Sequence, residues 1–161
     1  MTSPQPHDDD QTREGLLART REQHARLLAL LAPLADDALT RPGVTEPDHW
    51  SVKDHLAHLT WWSDRAIALV GGTPEPIEPP SIEDEQADDV NAAVYAMNRD
   101  RSLADVRAAF DAGHERLLRF IETLPDDALA EHYGLISGNA DGHYDEHVRM
   151  LETWQAREQQ V

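Results

Sequence analysis

The sequence predicts an all-α fold, a four-helix bundle in a single domain, and three observations carry that prediction. Apolar residues recur at a helical period along most of the chain. Two capping-box patterns open such stretches at Ser51 and Ser102. Proline and glycine interrupt them at only a few places. A chain of 161 residues suits one domain and can bury roughly two-thirds of its surface.

The first ten residues have neither a basic patch nor an apolar stretch. They read as a disordered tail rather than a secretory signal, and residues 11–161 as the domain. A first helix is expected over about residues 11–34, with Leu16, Leu17, Thr20, His24, Leu27, Leu28, Leu31 and Leu34 on one stripe. Pro42 and Gly43 then break the chain. Ser51 with Asp54 forms a capping box and opens a second helix that runs to about Val70, where Gly71 and Gly72 end it. Its inward face holds Val52, Leu56, Leu59, Trp62, Ser63 and Ala66. Residues 73–80 carry four prolines, suit neither helix nor central strand, and are long enough for a crossover between bundle helices. A third helix is expected over about residues 83–99 with Val90, Val94 and Met97 inward. Ser102 with Asp105 opens a fourth, with Leu103, Val106, Phe110, Leu117, Ile121 and Leu124 as its stripe, and Pro125 stops it. The last helix spans about residues 140–157.

One segment recurs. The run from His24 to Leu39 returns ninety positions later from His114 to Leu129, with nine of sixteen positions identical. The two copies either share only a way of ending a helix, or they mark two similar helical hairpins. The second reading would bring the helix after each copy together across a pseudo-two-fold axis.

Composition narrows the function. The formal charge of −17 repels phosphate backbones and anionic lipid, so neither nucleic acid nor membrane is expected as a partner. No apolar run is long enough to span a bilayer, and the cytoplasm is the expected location. With no cysteine in the chain, a metal would have to be held by histidine and carboxylate.

The last helix contains His143-Tyr144-Asp145-Glu146-His147. Histidines four apart lie on one helical face, one turn from each other, and two such imidazoles can bind one ion. At ~100° per residue they share a face with Ile136, Met150, Leu151 and Trp154, so both point into the core. A metal or ordinary hydrogen bonds would satisfy them there. The second helix offers a third imidazole from His55 or His58, and phase alone does not choose between the two. Three protein ligands would leave open positions, the pattern of a catalytic site. His24, His49, His114 and His132 have no paired spacing and read as surface or satisfied core residues. The run also fits the inverted zinc-peptidase motif, but only fourteen residues follow His147, too few for the downstream carboxylate ligand of those enzymes. Glu146 flanks the histidine face as a base, an outer partner or a solvated carboxylate.

Trp50-Ser51-Val52-Lys53-Asp54-His55-Leu56-Ala57-His58-Leu59-Thr60-Trp61-Trp62 resembles the second-helix signature of the DinB-like superfamily of four-helix-bundle metalloenzymes. The resemblance implies that the histidine of Leu56-Ala57-His58-Leu59 is a ligand, which singles out His58. It assigns the other two ligands to His143 and His147. Asn98-Arg99-Asp100-Arg101-Ser102-Leu103 and Gly138-Asn139-Ala140-Asp141-Gly142-His143-Tyr144-Asp145-Glu146-His147 are similar to the ClbS/DfsB group within it. That group has a longer, aromatic and Gly-rich stretch before the final helix, where this chain has only residues 130–135.

The resemblance implies an up-down-down-up bundle with a crossover connection and a site at the helix interface. It also implies action on small reactive molecules. The expected function is detoxification or self-resistance, by adding water to an electrophile such as a strained ring. A divalent ion, zinc or nickel, would be the cofactor and Glu146 the base. Trp62, Tyr144 and Trp154 would form the substrate wall. The alternatives are a metal-dependent thiol transferase and a protein that sequesters its ligand without turnover. A homodimer is the assembly considered.

Overall fold

The computed structural model describes residues 11–45, 49–71 and 87–160. The expected tail and the crossover over residues 73–80 lie outside them. All regular structure in the described residues is helical: α1 (Arg13–Leu31), α2 (Asp36–Thr40), α3 (Val52–Leu69), α4 (Ala87–Asn98), α5 (Leu103–Thr123), α6 (Asp126–Asn139) and α7 (Asp141–Glu158).

The helix starts follow from their caps. Ser51 Oγ accepts from the Asp54 amide while the Asp54 carboxylate accepts from the Ser51 amide, so the capping box of α3 is complete. At α5 only half of the expected box forms, with Ser102 Oγ accepting from the Asp105 amide at 3.0 Å. Thr12 caps α1 in the same way.

Four helices make the bundle, and their side-chain pairings give its topology. Along α1 and α7 the numbers rise together: Arg19 meets Asp141, Arg26 meets Glu152, and Gln155 donates to the Leu30 carbonyl. These two helices are parallel. So are α3 and α5, where Asp64 takes a bidentate bond from Arg116 and Thr60 lies against Gly113. Between α1 and α5 the order reverses, Arg13 reaching the Ile121 carbonyl and His24 meeting His114. It reverses again between α3 and α7. The order is therefore up, down, down, up.

Exchanging α1 with α5 and α3 with α7 turns one parallel pair into the other. The repeated segment shares this symmetry. Adding ninety to the bounds of α1 gives residues 103–121, nearly those of α5. The first residues of the two copies, His24 and His114, stack face to face with ring centroids 3.6 Å apart and planes 3° apart. Such a meeting of equivalent residues is what a pseudo-two-fold relation between the two hairpins requires.

Two apolar clusters fill the bundle. One gathers Leu27, Leu31, Leu56, Leu59, Phe110, Tyr144, Leu151 and Trp154; the other gathers Leu16, Ile67, Leu117, Ile121 and Ile136 nearer the opposite end. Helix α3 is buried nearly all round, because α5, α7, α6 and α4 surround it.

Several expectations need correction. Leu28 and Met97, placed on inward stripes, are exposed. The buried face of α1 runs through Leu16, Leu17, Thr20, Leu27 and Leu31, and that of α4 through Val90, Val94 and Asn98, so both side chains fall beside it. The first helix ends at Leu31, not near residue 34, and α2 follows it. The stretch before the last helix is a helix in its own right, α6. Only Leu129 and Ile136 of α6 are buried, so its apolar periodicity is faint. Ala140, at φ −111° and ψ −108°, breaks the line between α6 and α7.

Candidate metal centre

His55 and His58 leave α3 one turn apart, and His143 and His147 leave α7 one turn apart. Antiparallel packing sets the two pairs against each other. His58 Nε2 lies 3.0 Å from His143 Nε2, and His55 Nδ1 lies 2.9 Å from His147 Nδ1. One ring nitrogen from each of His58, His143 and His147 lies within 4.8 Å of the other two. His55 belongs to the same cluster but stands behind His147. Its Nε2 approaches Thr45 Oγ1 at 3.4 Å.

Burial keeps these imidazoles uncharged. It pushes His58 down to about 3, helped by His143 and His55, and His143 down to about 4. His55 falls to about 4, again mainly through burial. His147 is held well below its ordinary value by burial and then by His55, His143 and His58. At neutral pH the cluster therefore offers uncharged nitrogen donors, the form a metal needs.

The donor set fits a divalent ion. Two nitrogens bound to one tetrahedral ion at ~2.0–2.1 Å stand about 3.4 Å apart. The His58–His143 separation and the 4.8 Å span of the three bracket that distance. Without an ion, a single proton can bridge His58 Nε2 and His143 Nε2. The ring that accepts it then carries a buried N–H at Nδ1. The Nδ1 atoms of both rings are buried and have no hydrogen-bond partner among the described residues. Ligation through both Nε2 atoms would likewise leave an N–H at each Nδ1, so the fit rests on the separation of the ring nitrogens and their uncharged state.

The cluster opens onto a cavity of about 1060 Å³, lined also by Trp50, Trp62, Asn91, Glu146, Arg149 and Arg157. Glu146 is exposed, and no hydrogen bond or ion pair holds it among the described residues. Trp62 is fixed from α4, its Nε1 donating to Asn91 Oδ1 at 3.0 Å.

The expected substrate wall is partly displaced. Trp62 lines the cavity, but Tyr144 and Trp154 do not. Tyr144 is 1% exposed and packs beside Phe110 and His114, on the far side of α7. Trp154 is 5% exposed in the same apolar cluster. Tyr144 lies on the stripe that faces α5, not the one that faces α3. The place expected for them is taken by Trp50, whose ring centroid lies 5.3 Å from that of His55 and 5.1 Å from that of His58. Trp50 precedes α3, so no helical period could have aimed it.

The DinB superfamily matches residues 19–151, most of the chain and all of the bundle from mid-α1 to late α7. The chain belongs to the DinB superfamily. An uncharacterised protein from Escherichia coli UTI89, known from a crystal structure, superposes with a TM-score of 0.75. It shares 18% identity, over 92% of this chain and 95% of that one, a likeness that shows the fold. None of the curated proteins compared matches. Membership agrees with the location of the cluster: as in other helix bundles, facing helices build the site in the core from side chains one turn apart.

Proposed function

We propose that this DinB-superfamily protein is a metal-dependent enzyme that adds water to a small electrophile held in the cavity. The observation carrying the proposal is that His58, His143 and His147, uncharged and convergent, line the same cavity as an unpaired carboxylate, Glu146. A bound divalent ion, zinc or nickel, would supply Lewis acidity and bring the pKa of water towards ~7.

The chain's own residues do the rest. Glu146 accepts the proton as the water oxygen bonds to the electrophilic carbon, and returns it to the atom that leaves. In a strained ring that atom stays attached, so opening adds one water to the mass. Trp50 and Trp62 provide an apolar surface for the substrate and lower the local water content. The likeness of Asn98–Leu103 and Gly138–His147 to the ClbS/DfsB group supports a strained, reactive substrate and a role in detoxification or self-resistance.

The test has two stages. Elemental analysis of protein purified without added metal should find about one zinc or nickel per chain. An epoxide or an electrophilic cyclopropane is then incubated with the protein in oxygen-18 water, with and without a low-molecular-weight thiol. The expected product carries one labelled oxygen. A thiol adduct formed only with enzyme would replace this reading by thiol transfer, and protection of an unchanged reagent would replace it by sequestration.

A further inference from the structure

We infer that His55 is a positioning residue that fixes the ring of His147 and the nitrogen it presents to a metal. This rests on the proposed metal site and adds to it a residue that does not itself ligate.

The geometry is a chain of three groups. His147 Nδ1 and His55 Nδ1 are 2.9 Å apart, and His55 Nε2 and Thr45 Oγ1 are 3.4 Å apart. Each neutral imidazole has one N–H and one bare nitrogen. One assignment leaves His147 ready to bind. His147 Nδ1–H donates to His55 Nδ1, and His55 Nε2–H donates to Thr45 Oγ1. Every nitrogen of His55 is then used, and His147 is left with a bare Nε2. In the reverse assignment His147 Nε2 carries the hydrogen and has no lone pair for an ion.

The three candidate ligands are not alike in this respect. The Nδ1 atoms of His58 and His143 have no partner among the described residues, whereas that of His147 has His55. A ligand histidine is commonly oriented through its second nitrogen by a carboxylate or carbonyl, and losing that partner typically costs ~10–100-fold in metal affinity. Here an uncharged imidazole takes the role. It is 2% exposed and held edge-on by Trp50, with centroids 5.3 Å apart. An uncharged outer partner orients the ligand without adding negative charge to the metal, so the ion keeps more of its Lewis acidity.

Long-range nitrogen–proton NMR on the metal-free protein at pH 7 should find His147 protonated at Nδ1 and His55 at Nε2. His147 protonated at Nε2 would overturn the inference. Zinc affinity measured by chelator competition should fall ~10–100-fold in His55→Leu, which has no acceptor. It should recover to within a few fold in His55→Gln, whose side-chain oxygen can accept from Nδ1. Equal losses in the two variants, with both folded by circular dichroism, would make His55 a packing residue and overturn the inference. Unaltered affinity in His55→Leu would do the same. The NMR readout needs neither metal nor variant. Failure of zinc to bind the wild-type protein would therefore sink the metal reading while the tautomers still decide the role of His55.

Discussion

Each candidate ligand sits in a place that makes it a base without charge. Desolvation holds His58 and His143 to about 3 and about 4, so protons do not compete for their nitrogens near neutrality. His143→Ala or His147→Ala removes one of three donors. The chain has no cysteine to replace it. Each variant should lose both metal retention and turnover, read by elemental analysis and by labelled-oxygen incorporation. Glu146→Gln should keep the metal and slow turnover by ~10²–10⁴-fold, because it removes only the proton acceptor. Loss of metal in Glu146→Gln would make Glu146 a ligand instead. The aromatic residues teach a different lesson at this scale. Tyr144 adjoins a candidate ligand in sequence yet points away from it, because neighbours on a helix stand ~100° apart.

Between elements, close approach is the governing constraint. Helices α3 and α5 meet where Gly113 lies against Thr60. A Cβ at position 113 would stand 3.0 Å from Thr60 Cγ2, tighter than an ordinary contact, so one of the two must give way. The Thr60 hydroxyl donates to the Leu56 carbonyl at 2.8 Å and locks the methyl in place. Gly113→Ala should therefore destabilise the protein by about 1–3 kcal/mol in urea unfolding. Thr60→Ser deletes the offending methyl, so the double variant should recover part of the loss. Additive effects would show that the clash is not the cause.

The α1–α5 contact makes a second prediction, in pH. Burial, then His24 and Arg21, push His114 down to about 4, and burial lowers His24 against the opposing pull of Asp111 and Glu115. Both are neutral in the fold and titrate near 6.5 when unfolded. The unfolded chain therefore takes up protons first. Stability is full above pH ~6.5 and falls as pH drops towards 4. His114 contributes part of that loss, beside the buried histidines of the α3–α7 cluster, whose values are depressed in the same way. His114→Phe should flatten the dependence of the melting temperature on pH between 6.5 and 4.5. An unchanged slope would count against the stacked pair as its source.

Across the whole molecule, the two parallel pairs α1–α7 and α3–α5 are related by the axis on which His24 and His114 stack. The same relation opposes α3 to α7 and so draws the candidate metal-binding histidines from both halves. Charge also acts at this scale. With 31 acidic residues against 14 basic ones, the protein should show no retardation of duplex or single-stranded DNA at moderate salt. Retardation that weakens as salt rises would contradict this. No helix in the described residues is long and apolar enough to cross a membrane.

Local chemistry was enough to read much of this protein from its sequence. The caps at Ser51 and Ser102, the main helices, the repeat, and the shared face of His143 and His147 all depend on residues a few positions apart. Helical phase says which face of a helix turns inward, but not which neighbour that face meets. That is why His55 and His58 were equivalent by phase and distinct in the fold, one behind His147 and the other against His143. It is also why Trp50, carried on a loop, replaced Tyr144 and Trp154 beside the cavity. Helix α6 leaves little trace in the sequence because only two of its residues are buried, so little apolar period marks it. The tertiary structure alone decided which histidines meet, because that depends on the crossing of segments some ninety residues apart, and helical phase within one segment does not encode which segment it crosses.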